Sequence, residues 1–400
     1  MFNSLGFDRD EVIDLPDGFG GAQTLSGEVV PAVNGKALVH VPALGMVSLK
    51  PAAASAPAET ATAELTADGA VLRCGGLEVM VDGQGRVIRY TLGGHVMSAG
   101  VMNQLTMYKD VPRVFDAWDI DSNYREQDHF VSHADSLTVE AAGGLVASVT
   151  WTGSIGHSAI RQTISIRVGS PVVTFDTTVD WHEMHRLLKV GFPVDVRAEM
   201  AQHEIQFGHV DRPTHRSRQY DQERFEVCNH RWTALHDHSH GCAVLNDCKY
   251  GVGVMENSIE LTLLRAATSP DMVSDQGEQH FRYGFTAWAG DFDQSPVVRQ
   301  GLCFNEPVAL LPGVAETFSA FRVDAPNVIL DTLKPADDGS GDLILRLYES
   351  GKADTVFTLS SDLPVRSVRR CSPLEDAGEP CEGMVFHVKP FQVMTLRIEV

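Results

Sequence analysis

Carboxylates and aromatic rings alternate in one short stretch of the chain, residues 105–124, which reads LTMYKDVPRVFDAWDIDSNY. The end of this stretch contains three aspartates and three aromatic residues: Asp116, Asp119, Asp121, Phe115, Trp118 and Tyr124. Three carboxylates without basic partners are costly to desolvate, so the pattern is not that of a buried strand. Rings stack on the C–H faces of sugars and carboxylates accept hydrogen bonds from sugar hydroxyls, so these residue types suit carbohydrate binding. An exposed loop with one buried tryptophan also explains them.

The elements that surround this stretch are predicted to be β-strands. Apolar residues alternate with polar ones in RQTISIRV (161–168) and again in PVVTFDTTVDW (171–181), which is typical of half-buried antiparallel strands. The segment 77–94 is predicted to form a hairpin with its turn near 82–85. A helical period is hard to find, and 216–232 is only a weak candidate. The sequence therefore predicts an all-β protein.

A chain of 400 residues can bury a large core and form two or three domains. We predict small β-sandwich strands in 1–50 and a linker in the Ala/Thr/Pro-rich segment 51–70. A central β region is predicted over 71–325. The turn clusters DDGSG and RCSPLEDAGEPCEG separate apolar runs in 326–400, which predicts a second small β-sandwich.

Composition and charge exclude several classes of function. The formal net charge of −21 disfavours binding to nucleic acid or to anionic membranes. No apolar stretch approaches the roughly 18 residues of a membrane span, and the N-terminus does not resemble a signal peptide. The seven cysteines show no C-x-x-C spacing, which favours free thiols and a cytoplasmic location.

Several long motifs together resemble the C-terminal β region of the α-mannosidases of glycoside hydrolase family 38. The stretch 105–124 is one of them. The others are LLKVGFPVDV (187–196), HEIQFGHVDRPTHRSRQYDQERFEVCNHRWTAL (203–235), GCAVLNDCKYG (241–251) and LTLLRAATSPDMVSDQGEQHFRYGFTAWAGDF (261–292). The resemblance extends over nearly the whole chain. It implies a large antiparallel supersandwich, similar to that of galactose mutarotase, flanked by small β-sandwich elements.

The resemblance also implies where the chemistry lies. The family's enzymes are retaining α-mannosidases with an Asp nucleophile, a carboxylic acid and a Zn²⁺ ion held by His and Asp residues. These groups belong to an N-terminal α/β barrel and a helical bundle, and their His-x-Asp-x-x-Trp and His-His-Asp motifs do not occur here. We therefore expect no catalytic residue, metal ligand or cofactor in this chain, and we expect the chain alone to be inactive. Its expected partners are an α-mannoside glycan and the barrel and bundle of the same enzyme.

In related mannosidases the early part of the β region sends a loop over the mouth of the barrel, where it lines the sugar pocket. The resemblance therefore implies four substrate-binding residues, Asp116, Trp118, Asp119 and Tyr124. Tyr108 and Asp121 are weaker candidates. The alternative is that these residues only seal the interface with the barrel. Without the barrel, the uncovered apolar surface is expected to make the chain self-associate into a homo-oligomer.

Three histidine patterns imitate metal motifs. His209-Val210-Asp211 begins like the family's first zinc motif but does not continue toward a tryptophan. The run HDHSHG (236–241) is interpreted as an exposed loop, although alternating histidines can bind Zn²⁺ or Ni²⁺. WHEMH (181–185) spaces its histidines three apart, one short of the helical zinc motif, and is interpreted as a strand.

Two other functions fit the same fold. A stand-alone carbohydrate-binding module would bind glycans without cleaving them and would present an open aromatic platform. An aldose epimerase would need a histidine acid and a glutamate base that face one sugar. No motif marks such a pair, so the epimerase rests on fold analogy alone.

Overall fold

Alternating burial along the strands confirms the predicted period of two. In the strand Ser158–Arg167 every second side chain is buried, and Val173, Phe175, Val179 and Trp181 are buried along Val173–Trp181. These two strands pair antiparallel. The predicted hairpin is also present, with Leu77–Asp82 paired to Val87–Leu92. Gly85 supplies the left-handed backbone of its turn, at φ 74°.

The computed structural model describes residues 1–400, and contacts group them into two units. The large unit comprises Ala58–Glu204 and Val210–Asn305. The small unit comprises Met1–Pro57, Ile205–His209 and Glu306–Val400. The division at 50, 70 and 325 that the sequence suggested remains a proposal. The strand Ala61–Thr66 lies within the segment 51–70, and Leu49–Ala52 and Gly69–Cys74 overlap its two ends, so only 53–60 and 67–68 lie outside strands.

The large unit contains two six-stranded sheets and most of a nine-stranded sheet. In spatial order, the first six-stranded sheet comprises His95–Val96, Val87–Leu92, Leu77–Asp82, Gly69–Cys74, Ala61–Thr66 and Gly143–Gly144. The second comprises His129–Val131, Gln104–Lys109, Arg186–Pro193, Ser258–Arg265, Gly251–Met255 and Val227–Cys228. The nine-stranded sheet comprises His133–Ala141, Val146–Ile155, Ser158–Arg167, Val173–Trp181, Gly277–Ala289, His240–Asn246, Trp232–His236, Met200–Ile205 and Gly208–Pro213.

Aromatic rings from all three sheets meet in the core of the large unit. Phe285 of the nine-stranded sheet lies 4.9 Å from Tyr90 and 5.6 Å from Phe192, measured between ring centroids. Tyr90 and Phe192 come from the two different six-stranded sheets. The nine-stranded sheet therefore packs against a layer made of both six-stranded sheets. This arrangement confirms the predicted all-β supersandwich.

A buried hydrogen-bond network joins the layers at the centre of this core. The Gln162 side-chain oxygen accepts from Asn103 at 2.7 Å and from the Trp151 indole at 3.0 Å. The Gln162 amide nitrogen donates to the hydroxyls of Thr177 and Tyr283, and the Tyr283 hydroxyl donates to Asn103 at 2.7 Å. Polar groups without partners are costly in such a core, so this network favours one register of the sheets.

The small unit is built from short sheets. Three of them are three-stranded and use residues near the N-terminus: Phe2–Asn3, Gly45–Met46 and Phe318–Ser319; Arg9–Asp14, Lys36–Val41 and Ala32–Val33; Val29–Val30, Gly21–Thr24 and Leu49–Ala52. Two lie nearer the C-terminus: Arg322–Val323, Thr355–Ser360 and Val385–Val388; Val328–Pro335, Leu343–Glu349, Val393–Glu399, Ser367–Cys371 and Glu379–Pro380. The first sheet thus pairs strands from both ends of the chain.

Helical structure is confined to four short segments: Tyr124–Glu126, Gln219–Gln222, Phe292–Gln294 and Val297–Asn305. The weak helix candidate 216–232 therefore contains only one helical turn. No helix is long and apolar enough to cross a membrane. None of the seven cysteines forms a disulfide bond.

Candidate functional site

The loop 110–124 leaves the second six-stranded sheet after the strand Gln104–Lys109 and ends in the 3₁₀ turn Tyr124–Glu126. Its central residues form a tight turn, because the backbone nitrogens of Trp118 and Asp119 both donate to the Phe115 carbonyl, at 2.8 and 2.9 Å. Phe115 adopts a left-handed conformation, with φ 58°. A non-glycine residue holds such a conformation only where its surroundings fix it. The loop is therefore a defined structure.

Asp116 anchors this loop to the segment after the strand Ser258–Arg265. Its Oδ2 accepts from the backbone nitrogens of Thr268 at 2.7 Å and Ser269 at 3.0 Å, and from the Thr268 hydroxyl at 3.2 Å. Its Oδ1 lies 3.4 Å from Nδ1 of His185. Partial burial on its own raises the pKa of Asp116, but these hydrogen bonds and His185 outweigh it and lower the pKa below its ordinary value. Asp116 is therefore engaged within the chain.

Arg265 holds the loop at three points. Its Nε donates to the Asp110 carboxylate, and its two terminal nitrogens donate to the carbonyls of Ala117, at 3.1 Å, and Asp119. The Asp110 side chain is buried, which raises its pKa, and the Arg265 guanidinium opposes that shift. One guanidinium thus joins the beginning of the loop to its central turn.

His185 lies between the loop 110–124 and the segment that follows the strand Ser258–Arg265, and it contacts both. Its carbonyl accepts from the Asp110 nitrogen, and its own nitrogen donates to Ala266, both at 2.8 Å. Its Nε2 lies 3.1 Å from the Thr268 hydroxyl. The strand before it ends at Trp181, so the interpretation of 181–185 as strand is wrong beyond that residue. His185 has a φ of 51°, which is incompatible with an extended strand and turns the chain.

Trp118 and Asp119 are the accessible pair among the predicted site residues. The Trp118 residue is 71% exposed, so the alternative of an exposed loop with one buried tryptophan is wrong about the tryptophan. Asp119 is also exposed, and its carboxylate makes no hydrogen bond or ion pair within the chain. A free carboxylate beside an open indole can accept hydrogen bonds from a ligand while the ring stacks on it.

Tyr124 lies beneath the loop and is only 2% exposed. Its ring packs edge-on against Tyr108 at 5.1 Å, and the ammonium of Lys189 lies 5.7 Å from its centroid. Burial raises the pKa of Tyr124, with the nearby positive charges opposing. Its buried hydroxyl has no hydrogen-bond partner. Tyr124 therefore supports the end of the loop, and direct ligand contact would require it to move.

A buried ion network supports Tyr124 on the sheet. Lys189 is fully buried and donates to the Glu226 carboxylate and, at 3.0 Å, to the Thr262 hydroxyl. Arg125 donates to Glu260 at 2.7 Å. Burial by itself lowers the pKa of Lys189, but Glu226 outweighs it and raises the pKa. The two pairs fix the end of the loop on the face of the second six-stranded sheet.

The weaker candidates also lie near this end of the loop. Tyr108 is half-buried against Tyr124, and Asp121 lies 3.7 Å from Nε of Arg113. Asp121 and Tyr124 line a cleft of about 590 Å³, together with Lys109, Asp110, Val111, Arg113, Ser122, Asn123 and Gln127. The cleft is thus lined mainly by polar and charged side chains of the loop itself.

Three hydrogen-bonded loops form a common surface around this site. They are 110–124, 182–185 and 266–276, which we call the three-loop surface; besides the contacts above, Gln276 donates to the Glu183 carbonyl. Large apolar side chains are exposed on all three: Val111, Val114, Phe115, Trp118, Met184, Met272 and Val273. Such a concentration of exposed apolar groups is typical of an interaction surface.

The histidine patterns do not form a metal centre. His209 is buried and packs edge-on against Phe391 at 5.0 Å. Nδ1 of His236 and of His238 face the Asp291 carboxylate, at 3.1 and 2.8 Å. His240 stacks on His95 at 3.7 Å. No three His, Cys, Asp or Glu side chains in residues 1–400 are placed to hold a metal ion.

Sequence reasoning missed His185, Arg265 and Thr268. Thr268 and Asp116 lie 152 residues apart in the chain, so no local motif could indicate their contact. Both Arg265 and Thr268 do lie in one of the long motifs, 261–292, but their types alone gave no role.

Family models of C-terminal domains and curated relatives named alpha-mannosidases both match this chain. The profile of the "Glycosyl hydrolases family 38 C-terminal domain" matches residues 75–273, and that of the "Glycosyl hydrolases family 38 C-terminal beta sandwich domain" matches 327–396. Human alpha-mannosidase 2C1 is 35% identical over 99% of this chain and 39% of its own length. Alpha-mannosidase G of Dictyostelium discoideum is 32% identical over 74% of this chain and 29% of its own.

A solved structure is similar over the whole chain. The alpha-mannosidase from Enterococcus faecalis V583 superposes with a TM-score of 0.78 at 15% identity, covering 100% of this chain and 55% of that one. This likeness concerns the fold alone. The chain spans less than two fifths of the curated relatives' length.

Proposed function

Because this chain belongs to glycoside hydrolase family 38, in which it corresponds to the C-terminal region of the α-mannosidases, we propose that it binds the glycan substrate of such an enzyme through the loop 110–124. Bond cleavage is assigned to a different segment of the enzyme. The observation that carries the proposal is the open pair Trp118 and Asp119 on an otherwise fixed loop. Trp118 stacks on a sugar face and Asp119 accepts hydrogen bonds from α-mannoside hydroxyls.

The four predicted substrate-binding residues divide into two roles under this proposal. Trp118 and Asp119 contact the glycan. Asp116 fixes the loop through Thr268 and Ser269, and Tyr124 supports it from below. Fixing a contact residue before binding reduces the entropy lost when the ligand is held.

The chain by itself is proposed not to hydrolyse α-mannosides. A retaining glycosidase needs a carboxylic acid whose pKa is raised so that it can protonate the leaving oxygen. Asp116 has a lowered pKa, and Asp110, whose pKa is raised by burial, is held by the Arg265 guanidinium, so neither suits that role. His236, His238 and Asp291 already engage one another and do not fit a zinc site. Zinc is therefore assigned to residues outside this chain.

The three-loop surface is proposed to pack against the catalytic part of the same enzyme. Its exposed apolar side chains, among them Met184, Met272 and Val273, support this proposal, as does the greater length of the relatives. The chain alone should then bind a hydrophobic dye and self-associate. The Met272→Lys variant should reduce both effects. A chain that is monomeric and does not bind the dye would contradict the proposal.

We also propose a cytoplasmic location for the enzyme and a place in mannose metabolism.

Fluorescence titration tests the glycan contact directly. Trp118 is the exposed tryptophan of the chain, whereas Trp151, Trp181, Trp232 and Trp288 are buried. Methyl α-mannoside should therefore change the emission of Trp118, and the change should be absent in Trp118→Phe. Methyl α-galactoside, which differs in two hydroxyl orientations, is the ligand control. No response in the wild-type chain would overturn the glycan contact and leave the loop as an interface.

A stand-alone carbohydrate-binding module is the second candidate, because Phe115 and Trp118 are both open to solvent. Such a module would give the same titration but would need no partner segment. A strictly monomeric chain with strong mannoside binding would favour it. Turnover of an aryl α-mannoside together with about one bound zinc per chain would contradict both candidates.

A further inference from the structure

We propose that Arg265 is a positioning residue that sets the orientation of Trp118 and Asp119 for ligand binding. The inference rests on the glycan contact proposed above and adds the group that holds that contact in place. Arg265 lies at the end of the strand Ser258–Arg265, far from the loop in sequence. It is not a member of the exposed pair, and most of its side chain is buried.

The geometry singles out the peptide groups around Trp118. The guanidinium of Arg265 donates to the carbonyl of Ala117 at 3.1 Å and to the carbonyl of Asp119, which are the residues on either side of Trp118. Each carbonyl direction fixes the plane of its peptide group. The Ala117 carbonyl lies in the peptide group before Trp118, and the Asp119 carbonyl lies in the peptide group after Asp119. The peptide group between Trp118 and Asp119 is held by the Asp119 nitrogen, which donates to the Phe115 carbonyl at 2.9 Å. With these planes fixed, the directions of the Trp118 and Asp119 side chains from the backbone are determined.

Two carboxylates, those of Asp275 and Asp110, hold Arg265 itself in place. Its backbone nitrogen donates to the Asp275 carboxylate at 2.9 Å, and its Nε donates to the buried Asp110 carboxylate. Only 16% of its side chain is exposed. The guanidinium is therefore a fixed support that joins the sheet to the loop.

Only arginine has the donors for this arrangement. Its planar fork presents several N–H groups in fixed directions, so one side chain can satisfy a carboxylate and two carbonyls together. A lysine at 265 could keep the ion pair with Asp110, but a single ammonium cannot reach all three acceptors. Arg265→Lys therefore removes the contacts to the carbonyls while it retains the charge.

Hydrogen exchange measured on the intact chain tests the positioning without any ligand. In Arg265→Lys, the amides of 112–122 should exchange about tenfold faster, which corresponds to the loss of about one hydrogen bond. In Asp110→Asn the carbonyl contacts remain, so the increase should be smaller. Arg282→Lys is the matched control, since Arg282 also joins a carboxylate, Asp247, to a carbonyl, Phe304, but does not touch the loop.

A titration with methyl α-mannoside, followed by Trp118 emission, then connects position to binding. Affinity should fall about tenfold in Arg265→Lys and remain unchanged in Arg282→Lys. Unchanged exchange in 112–122, or faster exchange spread evenly over the large unit, would overturn the role of Arg265. The two proposals can also fail separately. If the Trp118 emission of the wild-type chain does not respond to mannoside, but Arg265→Lys speeds hydrogen exchange in 112–122 alone, the proposed glycan contact is wrong. The proposal that Arg265 positions the loop is then still supported.

Discussion

Two carboxylates three positions apart are predicted to respond in opposite ways to the same substitution. Asp116→Asn should destabilise the large unit and leave the ligand-contacting groups in place. Asp119→Asn should leave stability unchanged and weaken ligand binding. The difference follows from their surroundings, because Asp116 accepts three hydrogen bonds within the chain and the Asp119 carboxylate accepts none.

The size of the stability effect can be worked from the contacts. Hydrogen bonds to a charged group contribute about 1.5–3 kcal/mol and neutral ones about 0.5–1.5 kcal/mol. An asparagine oxygen at 116 can still accept from Thr268 and Ser269, so mainly the charge assistance and the attraction to His185 are lost. With 18% of the Asp116 side chain exposed, we expect a loss of about 1–2 kcal/mol. In a unit of this size that lowers the midpoint of thermal unfolding by about 2–8 °C.

The effect should also depend on pH in a defined direction. The folded-state pKa of Asp116 lies below its ordinary value of 3.8. A depressed pKa gives stability that is fully present above the unfolded-state value and is lost as the pH falls through the folded-state value. The difference between the wild-type protein and Asp116→Asn should therefore be constant near neutral pH. It should shrink once the pH falls below about 4.

Urea unfolding at several pH values, combined with the mannoside titration, measures both halves of the prediction. For Asp119→Asn the free energy of unfolding should match that of the wild-type protein, while affinity falls by about one to two orders of magnitude. A destabilised Asp119→Asn with unaltered affinity would refute the reasoning, because the carboxylate would then serve the fold. So would an Asp116→Asn protein of unchanged stability.

Three further substitutions probe the surroundings of the loop. Trp118→Ala should change the free energy of unfolding by no more than about 0.5 kcal/mol, since its ring is exposed, while it abolishes the fluorescence response to mannoside. Tyr124→Phe removes a buried hydroxyl without a partner, so urea unfolding should show stability unchanged or increased by about 1 kcal/mol. Lys189→Met leaves the Glu226 carboxylate without its ammonium, so urea unfolding should show a loss of about 3–5 kcal/mol.

The strands of the large unit were predictable because burial imposes a period of two on the residues themselves. Ile164, Ile166, Phe175 and Val179 are all buried as their alternation indicated. The helix Val297–Asn305 was not predicted. Its sequence VVRQGLCFN has β-branched residues at the start and a glycine inside, both unfavourable in a helix. Packing within the cluster that contains Trp232 and Val297 overrides that local preference.

The position of the candidate site in the sequence was predictable, but the role of each of its residues was not. The composition of 115–124 indicated the loop, yet the types of the four predicted site residues gave no information on which side chains face inward. Tyr124 is buried and Trp118 is exposed because partners from distant strands, such as Lys189, cover one and not the other. Contacts between residues more than a hundred positions apart leave no local pattern in a single sequence.

The small unit combines segments from before and after the large unit in the sequence, which determines when it can fold during synthesis. Its first sheet pairs Gly45–Met46 with both Phe2–Asn3 and Phe318–Ser319, so it cannot be completed until Phe318–Ser319 has left the ribosome. The residues from Ala58 to Asn305 must be made first, which takes about 12–50 s at about 5–20 residues per second. During that interval Phe2–Asn3 and Gly45–Met46 lack their partner strand Phe318–Ser319, and a chaperone that binds extended segments can bind them. The residues of the large unit are all synthesised before Phe318–Ser319, so this unit can fold while Phe2–Asn3 and Gly45–Met46 still lack that partner strand.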